Sequence, residues 1–131
     1  MTSSHHDYNS ILVLDDEFDI VTIIKHDLER HGFRVLSFTD PHLALKDFQI
    51  NAENYDLIIS DVRMPGMNGF EFLRKVKEIR PDIKVFLMTA FEINNLEFSN
   101  VIPSIKIDEF VPKPITMEKL GIIIKKHLKV F

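Results

Sequence analysis

Short unbroken apolar runs alternate along the chain with segments whose apolar residues recur every three or four positions. Ile11-Leu12-Val13-Leu14 is β-branched in part and halted by Asp15-Asp16, as a strand buried on both faces of a parallel sheet would be (β1). From Phe18 the period changes. Ile20, Ile24 and Leu28 follow at i, i+4 and i+8, Val21 and Ile23 widen the stripe, and Gly32 stands where a helix-ending glycine belongs (α1). Arg34–Phe38 alternates (β2), and Thr39-Asp40-Pro41 sets a capping residue before a proline suited to the first helical position. That opens α2 over Pro41–Ile50, with Ala44, Leu45 and Phe48 inward. Tyr55–Ser60 repeats the buried-strand pattern and stops at Asp61 (β3). Met64–Gly69 is dense in breakers and reads as a loop, after which Phe70, Leu73 and Val76 mark α3 as far as Pro81. Val85–Met88 gives β4, ending at Thr89. The alternation expects a helix, α4, within Phe91–Pro103, although its asparagines and serine are weak helix formers. Glu109–Val111 is a short β5 stopped by Pro112-Lys113-Pro114, and Thr116 caps α5, whose Leu120, Ile124 and Leu128 recur every four residues. Ile115 and Leu120 take the positions of a hydrophobic staple.

Five βα units in a row predict an α/β fold: one doubly wound, five-stranded parallel sheet of order 2-1-3-4-5 with five helices on its two faces. At 131 residues the chain holds one such domain, over residues 10–131, behind a polar and loose tail, 1–9. Sixteen basic against twenty acidic residues leave a net charge of −4, which gives no field for nucleic acid or an anionic membrane. The absence of cysteine excludes disulfides, thiolate metal sites and thiol nucleophiles. No apolar run approaches the roughly 18 residues of a membrane span, so a cytoplasmic domain is expected.

In open sheets of this kind ligands bind beyond the carboxyl ends of the strands. The polar residues stopping the strands are Asp15 and Asp16, Asp61, Thr89 and Lys113. Three carboxylates about 5 Å apart would repel by roughly 3 kcal/mol per pair at an effective dielectric near 20, so cations belong among them. Lys113 is one; hard oxygen ligands with neither Cys nor His favour Mg²⁺ as another. Taken singly, each residue has an ordinary reading: Asp15 and Asp16 as helix caps, Asp61 as a turn aspartate, Thr89 as a strand-end hydroxyl, Lys113 as a solvated lysine. Their coincidence at one rim favours a site for a phosphoryl group. The six histidines lie in the tail or on expected helix surfaces, His127 included, and none forms a helical metal clamp. The glycines spell no nucleotide-binding loop.

Asp15-Asp16, the run Asp61-Val62-Arg63-Met64-Pro65-Gly66-Met67-Asn68-Gly69, Thr89-Ala90 and Lys113-Pro114 together resemble the receiver domain of two-component response regulators, the CheY-like branch of the flavodoxin-like folds. The resemblance covers about Ser10 to Leu128. It implies that Asp61 is the phosphoacceptor of a phosphorelay, taking its phosphoryl group from a sensor histidine kinase or phosphotransfer protein. It further implies that Asp15, Asp16, Asp61 and the Arg63 main-chain carbonyl serve Mg²⁺, and that Thr89 and Lys113 bind the phosphoryl oxygens. Lys113-Pro114 would be a cis peptide. On phosphorylation Thr89 would move toward Asp61 and Phe110, which otherwise reads as plain core, would turn inward, changing the α4-β5-α5 face toward a downstream partner or output domain. Phe110 has no hydroxyl, so such a signal would be steric.

The resemblance implies a signalling domain and not an enzyme on other substrates, catalysing only its own phosphorylation and a slow autodephosphorylation. The bulk of Arg63, two residues after Asp61, and of Phe91, two after Thr89, is expected to shield the acyl phosphate from water. A rival reading is a binding module of the same fold that is never phosphorylated. A phosphatase on external substrates would want the first two carboxylates one residue apart, and here they are adjacent. Ile93, Leu96, Phe98, Ile102, Ile105 and Ile107 exceed one helix stripe and suggest an apolar partner or phosphorylation-dependent homodimer surface. The chain reads equally as a stand-alone receiver or as a piece of a longer regulator.

Overall fold

The computed structural model describes residues 9–89, 105–114 and 116–128. Its strands are β1 (Ser10–Leu14), β2 (Arg34–Phe38), β3 (Leu57–Asp61), β4 (Lys84–Thr89) and β5 (Glu109–Pro112). All pair in parallel in the order β2-β1-β3-β4-β5. Among the described residues there are four α-helices: α1 (Phe18–Arg30), α2 (Pro41–Asn51), α3 (Gly69–Ile79) and α5 (Met117–His127). The expected α4, the Phe91 shield, Ile115 of the staple and all but the last residue of the tail fall outside the described residues.

Strand side chains alternate between faces, and both faces of the sheet are covered at its centre, which is why β1, β3 and β4 carry nearly unbroken apolar runs while the edge strands β2 and β5 are mixed. Leu12, Leu14, Ile58, Val85 and Leu87 point toward α2 and α3, where they meet Ala44, Phe48, Phe72, Leu73 and Val76. Ile11, Val13, Leu57, Ile59, Phe86, Met88 and Val111 point the other way, onto Val21, Ile24 and Leu28 of α1 and Leu120 and Ile124 of α5. Ile105 is buried and Ile107 half-buried against the first cluster, so these two members of the suggested apolar surface belong to the core. Ile23 is a correction of the opposite kind: it leaves the α1 stripe and is 55% exposed.

Several boundaries differ from the pattern-based ones. Tyr55 is excluded from β3 because a 3-10 turn, Ala52–Asn54, precedes it and its backbone N–H donates to Ala52 O. Its ring stacks on Phe48 and its hydroxyl donates to Asp47, so its apolar character serves the core without a place in the sheet. Asp61, by contrast, is the last residue of β3. Leu128 lies just past α5.

Register carries the fold over to the site. Leu14 pairs with Ser60, Asp61 with Met88, and Thr89 with Pro112. The residues at or just past these pairs, Asp15, Asp61, Thr89 and Lys113, therefore come side by side at the carboxyl rim.

Candidate functional site

Asp15 follows the last residue of β1 and is wholly buried. Its backbone N–H donates to Phe38 O at 3.2 Å, one carboxylate oxygen accepts Glu17 N–H at 2.9 Å, and the other accepts Lys113 Nζ at 2.6 Å. Its exposed neighbour Asp16 is turned to solvent. Glu17 caps α1 without a side-chain bond of its own; the Asp15 carboxylate holds that residue's N–H with one oxygen and Lys113 with the other, so it serves both the helix start and the site. Asp61 is 6% exposed; its Oδ1 accepts Val62 N–H at 2.9 Å and lies 3.3 Å from Lys113 Nζ. Thr89 ends β4, buried, and its carbonyl accepts Lys113 N–H at 2.7 Å, fixing the main chain from which the lysine reaches inward. The Lys113–Pro114 peptide is cis. One oxygen from each of Asp15, Asp16 and Asp61 lies within 4.8 Å of the others.

The charges in this group do not balance. Burial, then the neighbouring Asp15, pushes the Asp61 carboxyl up from 3.8 to about 6, against the pull of Lys113 and the Val62 N–H. Burial alone would lower Lys113, but its hydrogen bond to Asp15 and the charges of Asp15 and Asp61 outweigh it and hold the ammonium above its ordinary range. Lys113 thus pairs with two carboxylates, Asp15 and Asp61, while the third acid of the group, Asp16, lies exposed beside them. The donor set is hard oxygen with no Cys or His among it, and it borders a cleft of about 260 Å³ lined by Asp16, Glu17, Asp61, Val62, Arg63, Thr89 and Lys113. Such a set fits a small divalent cation of the Mg²⁺ kind.

The structure therefore brings Asp15, Asp16, Asp61, Thr89 and Lys113 to one place, with exposed Arg63 on the cleft wall. Phe110 stands on β5 opposite Leu87, half-buried, and packs against the cluster on the α2 and α3 side. Glu17 is a member of the site that sequence reasoning misses: it lines the cleft and ties its backbone to Asp15, a role that follows from chain direction and carries no side-chain signal. His127 is a correction. It is not on an open helix surface; its Nε2 lies 3.0 Å from Glu109 Oε1 and its ring makes a T-shaped contact with that of Phe86. That contact lowers the Glu109 carboxyl pKa.

The family model for the response regulator receiver domain matches residues 11–125. A transcriptional regulatory protein of alkaline phosphatase synthesis from Bacillus subtilis, PhoP, is 31% identical over 120 residues, which are 91% of this chain and 48% of that protein. The chain thus spans about half the length of that relative. A response regulator receiver domain protein from Clostridium thermocellum superposes with a TM-score of 0.82 at 32% identity, over 91% of this chain and 93% of that one. The response regulator TrrA from Thermotoga maritima, solved in complex with Mg²⁺ and BeF, superposes with a TM-score of 0.77 at 31% identity, over 92% and 99%. No helix among the described residues is long and apolar enough to cross a membrane.

Proposed function

The chain belongs to the response regulator receiver domain family, a signalling family of two-component systems, and from that premise we propose that Asp61 accepts a phosphoryl group from the phosphohistidine of a sensor kinase or phosphotransfer protein. The observation that carries this is the gathering of three acids within 4.8 Å, with Lys113 3.3 Å from Asp61, at the rim where this sheet class binds ligands.

In the step itself an Asp61 carboxylate oxygen forms a bond to phosphorus while the phosphorus–nitrogen bond to the donor imidazole breaks. The electron pair of that bond stays on the imidazole nitrogen, which is protonated afterwards. With its pKa near 6, Asp61 is mostly ionised at pH 7 and able to attack. Asp15, Asp16, Asp61 and the Arg63 main-chain carbonyl would hold Mg²⁺, which when bound supplies neutralising charge for the nucleophile and the incoming phosphoryl group. The similar Thermotoga protein, solved with Mg²⁺ and BeF, supports that choice. Lys113 and the Thr89 hydroxyl bind the phosphoryl oxygens once they are attached to Asp61. Buried Asp15 holds the Lys113 ammonium at 2.6 Å, so the lysine is already positioned before the phosphoryl group arrives.

The added charge and acceptors draw Thr89 inward, and Phe110 follows by packing. A population shift of the α4-β5-α5 face then alters binding to a downstream partner, an output domain or a second copy of the chain. The only chemistry is the domain's own phosphorylation and slow self-hydrolysis, carried out in the cytoplasm without direct contact to nucleic acid or membrane. Incubation with Mg²⁺ and acetyl phosphate, read by intact mass, is expected to add one phosphoryl group to the wild type and none to Asp61→Asn. A wild type of unchanged mass would favour the unphosphorylated binding module instead.

A further inference from the structure

We propose that Gly69 and Ser60 are positioning residues for Asp61, an inference that rests on the phosphoacceptor reading above. The main chain around the acceptor is held from several sides. The buried Ser60 hydroxyl donates to Asp61 O at 3.0 Å. Val62 N–H is shared between Met88 O at 3.0 Å and Asp61 Oδ1 at 2.9 Å. Val62 O accepts Gly69 N–H at 2.7 Å.

Gly69 is also the first residue of α3, and it meets Asp61 with no side chain between them. A Cβ built on it would lie 2.1 Å from Asp61 O, and 3.0 Å from both Asp61 C and Leu87 Cδ1. Real Cβ atoms do not approach within 3.0 Å, so either the helix start or the Asp61 peptide would have to move by roughly 1 Å. The helix start is not free to yield, because the Asn68 side chain accepts Glu71 N–H at 2.8 Å and Phe72 and Leu73 are wholly buried. The demand is for space and not for a left-handed backbone, unlike Gly32 and Gly66, whose φ values are 92° and 88°. Since the Asp61 carboxylate hangs from this backbone, the contact sets its distance to Asp15, Asp16 and Lys113.

The test compares wild type, Gly69→Ala and Ser60→Ala with two controls. Val76→Ala opens a cavity in the same helix, and Gly121→Ala adds a Cβ to α5 where nothing lies within 4 Å. Each protein is measured below its unfolding range for labelling rate with acetyl phosphate and for Mg²⁺ affinity by calorimetry. Gly69→Ala is expected to slow labelling by about tenfold to a hundredfold and to weaken Mg²⁺ binding, with Ser60→Ala several-fold slower. Both controls should stay within about twofold of wild type. A folded Gly69→Ala with wild-type rate and affinity overturns the inference. Should Gly69→Ala fail to fold, Ser60→Ala decides: slower labelling supports positioning and a wild-type rate overturns it. A wild type that binds Mg²⁺ but takes no label sinks the phosphoacceptor reading, and the Mg²⁺ affinities of the variants then settle positioning on their own.

Discussion

Asp15, Asp16 and Asp61 are chemically alike, yet the fold gives them different burdens: Asp15 is wholly buried against Lys113, Asp61 is nearly buried at the end of β3, and Asp16 faces solvent. The sequence shows that acids stop the strands but not which of two adjacent ones turns inward, because that depends on where β1 hands over to the loop before α1. Asp61 has a raised pKa, so it binds its proton more tightly folded than unfolded. The contribution of Asp61 to metal-free stability should therefore fall as pH climbs from about 4 through about 6 and level off above. Asp61→Asn is accordingly expected to stabilise the metal-free protein by about 1–3 kcal/mol at pH 7.5, with the gain vanishing near pH 4. Urea unfolding at the two values checks this, and a loss of stability at pH 7.5 would count against it. Lys113→Ala would strand the buried Asp15 carboxylate and should cost about 3 kcal/mol, largely recovered when Asp15→Asn is added. Strictly additive losses in the pair would mean the contact is incidental.

At the scale of elements, caps and stripes are readable because they are local. Asp40 accepts His42 N–H, Thr116 accepts Lys119 N–H, and Pro41 opens α2 as its position before the stripe suggests. Asn68 reads in the sequence only as part of a loop, although it caps α3; removing that cap by Asn68→Ala should cost about 1 kcal/mol in chemical denaturation. The pairing of His127 with Glu109 is not legible, since it joins positions brought together only when α5 lies along β5. Leu120 and Ile124 are the buried residues by which α5 closes its side of the sheet. Ile124→Ala should destabilise by about 2–5 kcal/mol, and a change under about 1 kcal/mol would mean that α5 is loosely attached.

For the molecule as a whole, sheet order is legible because right-handed crossovers and a repeating βα pattern leave few arrangements, and each buried strand announces its rim residue. Less legible is the depth of the site. Burial, not acid count alone, makes the group unfavourable by itself, and burial is a property of the packed layers. Binding to the folded state alone is worth about 2.7 kcal/mol at a hundred times the dissociation constant, so Mg²⁺ should raise the thermal midpoint in proportion. Asp61→Asn should lose most of that gain, and an equal rise in both proteins would place the ion elsewhere. The most direct measurement is to label the protein with a small phosphoryl donor, trap the acyl phosphate reductively and map it by peptide mass. The expected result is modification at residue 61 alone, and only when a divalent cation is present; a modification on another residue, or one indifferent to the cation, would contradict it.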